Sequence, residues 1–215
     1  MGDKLLELII AGNAISELPE AVFSALPCLR LLDATRNSLT MLPGVIATSL
    51  PALRALKVGH NSLHDGSFQA LQGAFDARSF RLHEALWEVD LSFNRLTSLP
   101  SFLFHCSRMR ALTAPGNKLT NLLDLPFLNL KELISINLAE NKITDIGLVR
   151  YGPLSVVSIN LENNELKDIP SELGLLPLLS GPSIGGNPQR RIKANVISDG
   201  GVAVKKYLKD SLPAE

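Results

Sequence analysis

Apolar side chains recur along this chain in one short pattern that contains an asparagine near its end. In VVSINLENNEL (156 to 166), apolar residues stand at Val156, Ile159, Leu161 and Leu166, and Asn164 comes before the last of them. Polar residues separate these positions, so that one face of the segment is apolar and the other is polar. This alternation predicts a short half-buried strand, and the asparagine marks the point where the backbone turns out of it.

The pattern occurs eight times along the chain. The copies cover residues 5–15, 29–39, 53–63, 86–96, 109–119, 133–143, 156–166 and, in degenerate form, 179–189. Successive asparagines are 24, 24, 33, 23, 24, 23 and 23 residues apart. A unit of this length cannot bury its apolar face alone, so the repetition predicts a solenoid in which neighbouring units share one core.

The motif L-x-x-L-x-L-x-x-N-x-L resembles the leucine-rich repeat, and the resemblance covers nearly the whole chain. It implies an α/β fold, a horseshoe-shaped solenoid of about eight repeats with a parallel sheet on its concave face and short helices or extended segments outside. The segments LTMLP (39 to 43) and LKDIP (166 to 170) follow two of the asparagines and resemble the intracellular, Ras-group type of repeat. Proline fixes φ and removes a donor, which suits an irregular return segment.

The eight aligned asparagines are predicted to hold the fold. An amide side chain donates and accepts hydrogen bonds, so it can satisfy backbone groups of a turn that stacking would leave unpaired. Stacked repeats would then build an asparagine ladder from Asn13, Asn37, Asn61, Asn94, Asn117, Asn141, Asn164 and Asn187.

The repeat region, residues 1–189, contains an insertion at 64–85. Three apolar residues of the insertion have helical spacing: Phe68, Leu71 and Phe75. Asp65 or Ser67 is the expected helix cap. The insertion predicts either a longer convex helix packed on the core or a protrusion that binds a partner.

Residues 190–215 break the repeat and predict a helical cap for the last unit. Two short amphipathic helices are expected, hinged at Gly200 and Gly201. Their apolar residues should pack inward: Ile192, Val196, Ile197, Val202, Val204, Tyr207 and Leu208. Their lysines should lie outside: Lys205, Lys206 and Lys209.

The order GNP…R…G…YL…LP in this region (186 to 213) resembles the C-terminal end of leucine-rich repeat-containing protein 40 and its relatives. The resemblance implies an intracellular scaffold or adaptor without enzymatic activity. Some members of this group assemble small-GTPase or phosphatase signalling complexes, so a regulatory subunit acting on such an enzyme is an alternative function.

The first repeat begins at Leu5 and shows no comparable cap. Its open edge would expose apolar side chains and unpaired strand groups. Three explanations compete: the chain is a fragment of a longer repeat protein, a partner covers the edge, or two copies pair there.

Composition narrows the classes of partner. The chain has 215 residues, 46% of them hydrophobic, and 21 basic residues balance 21 acidic ones. This balance gives no overall field that favours nucleic acid, and no apolar run reaches the roughly 20 residues needed for membrane insertion. Only two distant cysteines occur, Cys28 and Cys106, and no convincing signal peptide precedes the repeats. The chain is therefore expected in the cytoplasm.

Short motifs that resemble catalytic signatures do not support an enzyme. GPSIG (181 to 185) matches G-x-S-x-G, but all four histidines precede Ser183, whereas a nucleophile elbow requires one after the serine. HEALW (83 to 87) has Trp87 where a zinc motif requires its second histidine. We expect no catalytic residue, no metal site and no cofactor.

The binding surface is expected on the concave face, where variable strand positions project. A first sector, in repeats two to four, surrounds one aromatic residue with mixed charge: Asp33, Arg36, Lys57, His60, Asp90 and Phe93. A second sector, in repeats six and seven, is acidic and rich in amides: Asn137, Glu140, Asn160, Glu162 and Asn163. Arginine and aromatic residues are favoured in binding hot spots, so a protein partner fits the first sector, and a basic segment fits the second. A merely solvated face is the alternative for both.

Overall fold

Eight short strands form one parallel sheet along the inner wall of the molecule. The computed structural model describes residues 4–76, 82–120, 122, 129–146 and 155–212. The strands follow chain order: β1 (Glu7–Ile9), β2 (Leu31–Asp33), β3 (Ala55–Lys57), β4 (Glu88–Asp90), β5 (Ala111–Thr113), β6 (Ser135–Asn137), β7 (Ser158–Asn160) and β8 (Gly181–Ser183). Each pairs with the next without a shift, so equivalent residues of successive repeats lie side by side. The predicted horseshoe-type α/β solenoid is confirmed.

The central residue of each inner strand points into the core. Five of these residues are fully buried: Leu32, Leu56, Val89, Leu112 and Ile136. Leucines before and after a strand, such as Leu29 and Leu39, are buried as completely. Each buried leucine side chain stabilises the fold by about 1.5–3 kcal/mol, because its apolar surface leaves water. The repeated leucines therefore fix which strand positions remain on the concave face.

Short helical segments return the chain along the outer wall. α-Helices cover Glu20–Phe23, Val45–Ser49 and Gln69–Asp76, and 3₁₀ segments cover Asp65–Phe68, Leu82–Glu84, Ser101–His105 and Ser171–Leu175. The helix Gln69–Asp76 belongs to the insertion, and both Phe68 and Leu71 are buried. The Phe75 side chain lies outside the described part of the chain. This packing favours the convex-helix interpretation of the insertion.

The first turn of the insertion is capped by His64. Its Nδ1 accepts a hydrogen bond from the Gly66 N–H (3.2 Å), and Ser67 Oγ accepts one from the His64 N–H (2.8 Å). Of the two expected caps, Ser67 takes part in this capping box, whereas Asp65 does not. The Asp65 carboxylate instead accepts hydrogen bonds from the next repeat, at the N–H of Thr97 (2.8 Å) and Ser98 (3.3 Å).

Two helices, Ala194–Ser198 and Gly201–Asp210, close the last repeat and confirm the predicted helical cap. The second helix buries Val204 and Leu208. It also approaches β8 so closely that a Cβ on Gly181 would lie 2.0 Å from the carbonyl carbon of Gly201. Glycine at this crossing lets the helix cover the end of the core.

Two details of the predicted cap were wrong. Val202 is 73% exposed instead of packed inward. Lys205 does not extend freely into solvent, because its Nζ donates a hydrogen bond to the Leu179 carbonyl oxygen (2.6 Å). This contact ties the helix to the segment that leads into β8.

The opposite end of the sheet is β1, where Ile9 of the strand and the preceding Leu5 and Leu6 are exposed. A longer repeat protein, a covering partner and pairing of two copies stay predictions for this edge. Within the described ranges, no helix combines the length and the apolar character that crossing a bilayer requires.

Candidate protein-binding surface

The third residues of the strands form a continuous column on the concave face. The strand pairing places Asp33 beside Lys57, and Lys57 beside Asp90, at the usual spacing of about 4.8 Å between strands. The structure thus brings the first predicted sector together as one surface across three repeats. Asn137 and Asn160 are direct neighbours in the same way and join the second sector.

Acidic and amide side chains in this column also form hydrogen bonds with the backbone just after their own strand. Each uses its Oδ1 atom to accept a hydrogen bond from the N–H two residues further on: Asp33 from Thr35 (3.0 Å), Asp90 from Ser92 (2.8 Å), Asn137 from Ala139 (3.2 Å) and Asn160 from Glu162 (3.0 Å). Side chains of this type commonly form such local turns. These four residues therefore have a structural role that the sequence analysis did not anticipate, and one oxygen of each is already engaged.

The position before each ladder asparagine adopts a left-handed backbone conformation in all eight repeats. Glycine occupies it in three repeats, and the other five residues have φ values between 50° and 54°: Arg36, His60, Phe93, Glu140 and Asn163. For residues other than glycine this conformation costs about 1–2 kcal/mol. Their N–H groups pair with the next repeat, for example His60 with the Ser92 carbonyl (2.7 Å) and Phe93 with the Pro115 carbonyl (2.7 Å). The sheet therefore imposes the conformation on them.

Phe93 is the aromatic centre of the first sector. Its ring stacks on the His60 ring, with 4.3 Å between centroids and an interplanar angle of 18°. On the other side it lies over Gly116, where an added Cβ would be 2.4 Å from a Phe93 ring carbon. The side chain is nevertheless 42% exposed. Its neighbours thus fix the orientation of a large apolar surface that faces solvent.

Lys57 supplies a positive charge between two acidic neighbours. Its Nζ lies 2.9 Å from a carboxylate oxygen of Glu88. The hydrogen bond to Glu88 raises the pKa of Lys57, and the charges of Glu88, Asp33 and Asp90 act in the same direction against partial burial. The ammonium group therefore stays charged at neutral pH and is held in place.

The second sector is more open. Glu140, Glu162 and Asn163 are exposed. Asn163 lies close to the next repeat, since a Cβ on Gly186 would be 2.1 Å from its Oδ1. No aromatic side chain belongs to this sector, so it offers negative charge and amide groups without an apolar anchor.

Seven of the aligned asparagines join neighbouring repeats through the same set of hydrogen bonds. Asn94 shows the arrangement: its Nδ2 donates to Val58 O of the preceding repeat (3.0 Å) and to two carbonyls of its own turn, and its Oδ1 accepts from the Leu63 N–H (2.9 Å). The equivalent bonds are made by Asn37, Asn61, Asn117, Asn141, Asn164 and Asn187. Among the described residues, Asn13 donates only to carbonyls of its own turn, at Ile10 and Ala11.

Sequence reasoning missed two further columns of residues that lie beside the predicted surface. The first residues of the strands also face the concave side, and they include Glu88, the partner of Lys57. The residues just before the strands include Trp87, which lies between Arg54 and Arg110 of the neighbouring repeats. Both columns have a fixed position relative to the ladder asparagine, so the repeat alignment contained the signal.

The motifs tested for catalysis have other roles in the fold. Ser183 lies in β8 beside the buried Pro182, so GPSIG forms part of the sheet and not a strand-to-helix turn. The side chain of His83, the first histidine in the zinc-like motif, lies outside the described part. Burial raises the pKa of the Cys106 thiol to about 12, which keeps it protonated at neutral pH. In the ranges that the structure describes, no group of three or more His, Cys, Asp or Glu side chains could hold a metal ion.

Comparison with known sequences identifies leucine-rich repeat proteins. A family model described as leucine rich repeat matches residues 3–63. The chain is 36% identical to lumican of Gallus gallus over 104 residues, which are 47% of this chain and 28% of that protein. It is 32% identical to leucine-rich repeat serine/threonine-protein kinase 1 of Mus musculus over 90 residues, which are 40% of this chain and 4% of that protein. The matches therefore span less than a third of these relatives.

Solved structures share the fold over most of the chain. A leucine-rich repeat protein of Leptospira interrogans superposes with a TM-score of 0.76 at 23% identity, covering 99% of this chain and 49% of that one. The leucine-rich repeat ectodomain of the receptor kinase GASSHO1/SCHENGEN3 from Arabidopsis thaliana, solved in complex with CASPARIAN STRIP INTEGRITY FACTOR 2, gives a TM-score of 0.65 at 28% identity, covering 86% of this chain and 22% of that one. The fold is therefore a leucine-rich repeat solenoid, and the matching sequence model covers its first repeats.

Proposed function

We propose that the chain is a non-enzymatic adaptor or scaffold that binds a protein partner through the first sector of its concave face. The observation that carries this proposal is the environment of Phe93. The repeat imposes positive φ at this position, and a bulky residue is rarely found with such a conformation. Glycine takes the same position in three other repeats, so the fold itself does not require a phenylalanine there.

The surroundings of Phe93 support a protein ligand. An exposed, oriented aromatic ring on the same face as Arg36 and the held Lys57 has the composition of a binding hot spot. Asp33, Lys57 and Asp90 alternate in charge along the column, which can fix the register of a partner and reject partners with the wrong charge pattern. The receptor kinase ectodomain with the same fold was solved with a bound factor, and binding to a partner is likewise the role proposed here.

A role in intracellular signalling is part of the same proposal. It is supported by two resemblances in the sequence, that of the return segments to the Ras-group type of repeat and that of the C-terminal region to leucine-rich repeat-containing protein 40. Cys28 and Cys106, the two cysteines of the chain, are both free thiols, which fits a reducing compartment.

Affinity capture followed by quantitative binding tests this proposal. The intact chain is immobilised as bait, and the proteins that it captures are purified. Calorimetry then compares their affinity for the intact chain and for a variant with Lys57→Glu and Phe93→Ala. We expect the double variant to lose at least about tenfold in affinity, since hot-spot truncations usually cost that much.

The matched control carries Lys118→Glu and Val202→Ala, which change an exposed lysine and an exposed apolar residue outside both sectors. It should bind like the unchanged chain, and circular dichroism should show that all three are folded. Equal affinity of both variants for every captured protein would reject the first sector as the binding surface.

A further inference from the structure

At the edge of the sheet where the strands begin, three arginines and the single tryptophan form one column. The residues just before β2, β3, β4 and β5 are Arg30, Arg54, Trp87 and Arg110. The main-chain carbonyl of Arg54 accepts hydrogen bonds from the N–H groups of Trp87 (2.9 Å) and Glu88 (3.0 Å). Arg30 and Trp87 accept the equivalent pairs from the repeats that follow them. These bonds set the backbones of the four residues at successive steps of about 4.8 Å.

Trp87 orders the arginines on either side of it. The guanidinium carbon of Arg54 lies 5.1 Å from the centroid of the indole ring, and that of Arg110 lies 5.5 Å away. Both distances are within the range of a cation–π interaction. Arginines that are held in this way lose less conformational entropy when they bind a ligand.

These side chains line an open cavity of about 360 Å³ on the loops that lead into the strands. Arg108 adds a fourth guanidinium group, and Glu84 and Glu132 also reach the lining. Glu132 is paired with Arg110, with its Oε2 at 3.0 and 3.2 Å from two guanidinium nitrogens. In the part of the chain that the structure describes, no carboxylate lies within 4.0 Å of the guanidinium groups of Arg30, Arg54 or Arg108. This edge therefore carries unpaired positive charge on a chain whose net charge is zero.

The guanidinium groups and the indole ring at this edge favour an acidic peptide as the ligand. A guanidinium group binds a carboxylate through two parallel hydrogen bonds, and the indole ring offers an apolar surface beside them. Three steps of the column span about 14 Å, the length of about four residues of an extended segment. The two carboxylates in the lining disfavour the denser charge of a phosphate group. A single aromatic residue also differs from the successive stacking platforms that bind single-stranded nucleic acid.

We propose that Arg30, Arg54, Arg108 and Trp87 form a second binding site, which takes an extended peptide segment rich in aspartate and glutamate. This site lies on a different edge from the first sector, and it does not depend on the function proposed for that sector.

Tryptophan fluorescence reports on the site directly, because Trp87 is the only tryptophan in the chain. The probe is a blocked peptide in which glutamate alternates with serine, and the control peptide has glutamine in place of glutamate. We expect the glutamate peptide alone to change the emission of the intact chain. Calorimetry then gives the affinity, which should fall as the salt concentration rises.

Variants locate the bound peptide. Arg54→Glu with Arg108→Glu should weaken binding at least tenfold, and Arg54→Lys with Arg108→Lys should weaken it less, because lysine keeps the charge but loses the planar fork. The control, Lys118→Glu with Lys142→Glu, makes the same change in net charge away from this edge and should leave the affinity unchanged. Phe93→Ala should also leave it unchanged, which separates this site from the first sector.

Three results would overturn the proposal. One is the absence of binding by the intact chain up to about 1 mM peptide. Another is equal loss of affinity in the charge-reversal variant and its control. The third is tighter binding of a matched phosphoserine peptide or of single-stranded DNA with the same dependence on Arg54 and Arg108, which would assign the site to phosphate.

Discussion

The aromatic rings of His60 and Phe93 stack across two neighbouring repeats, with their centroids 4.3 Å apart. Both residues have positive φ, at 54° and 50°. The stack is therefore built from two residues at a position where glycine would be less strained. The left-handed backbone of these two residues thus positions an exposed apolar surface. Substitutions at Phe93 should therefore change both the stability of the fold and the affinity for a partner.

Replacement of Phe93 by glycine and by alanine separates strain from binding. Both changes remove the ring and should weaken binding through the first sector to a similar extent. The glycine variant should be more stable than the alanine variant by about 1 kcal/mol, because glycine adopts positive φ without a steric penalty. Urea denaturation measures the difference. The same comparison at Ala111, a strand residue without positive φ, should have the opposite sign, with Ala111→Gly destabilising. Alanine at least as stable as glycine at position 93 would contradict the strain argument.

Gly116 and Phe93 should be energetically coupled. A Cβ on Gly116 would approach the Phe93 ring to 2.4 Å, and Gly116 also has a φ of 65°. Gly116→Ala should therefore destabilise the fold by about 1–3 kcal/mol through backbone strain and displacement of the ring. Part of this loss should disappear when Phe93→Ala is already present. A double-mutant cycle measures the coupling, and strictly additive changes would show that the ring moves aside freely.

The ladder asparagines should differ in importance according to their position. Asn94→Ala leaves the Leu63 N–H without its partner inside the stack, and an unpaired buried group costs about 1–3 kcal/mol. The Val58 carbonyl loses one of its two donors and keeps Asn61 Nδ2 (3.0 Å). Asn13→Ala removes only exposed bonds within one turn and should cost less than about 1 kcal/mol. Denaturant unfolding of the two variants compares them directly. Equal losses would mean that the bonds between repeats add nothing to those within the turn.

The sequence predicted the parts of the structure that the repeat imposes locally. Leucine spacing identifies the strand positions, because one buried face per repeat is required by stacking. Glycine at Gly12, Gly116 and Gly186 also signals positive φ at the position before the ladder asparagine. In the fourth repeat this signal is missing, because a phenylalanine such as Phe93 does not by itself suggest a left-handed conformation. Alignment of all eight repeats is needed to reveal it.

Contacts between distant residues were not predictable in the same way. The local sequence offers Asp65 as a helix cap, but Thr97 and Ser98 of the next repeat bind its carboxylate, so His64 takes the capping role. Lys205 has the pattern of a surface lysine, yet its ammonium group reaches the Leu179 carbonyl. In both cases the competing partner is more than twenty residues away and is brought close only by stacking.

Asp65 provides a test of stability that depends on pH. Partial burial acts to raise its pKa, but the hydrogen bonds from Thr97 and Ser98 outweigh burial and hold the pKa below its usual value. A carboxyl group with a lowered pKa in the folded state stabilises the fold above its unfolded pKa of about 3.9, and this contribution is lost as the pH falls through the folded value. Asp65→Ala should cost about 1 kcal/mol at neutral pH, a value reduced by solvent exposure.

The difference between Asp65→Ala and the unchanged chain should therefore shrink as the pH falls from about 7 to about 3. Urea denaturation at several pH values measures it. Asp145→Ala is the matched control, because Asp145 is exposed and its carboxylate has no hydrogen bond to the described residues. That variant should be within about 0.5 kcal/mol of the unchanged chain at neutral pH. If the cost of Asp65→Ala were the same at both ends of the pH range, the carboxylate charge would not stabilise the junction between the insertion and the fourth repeat.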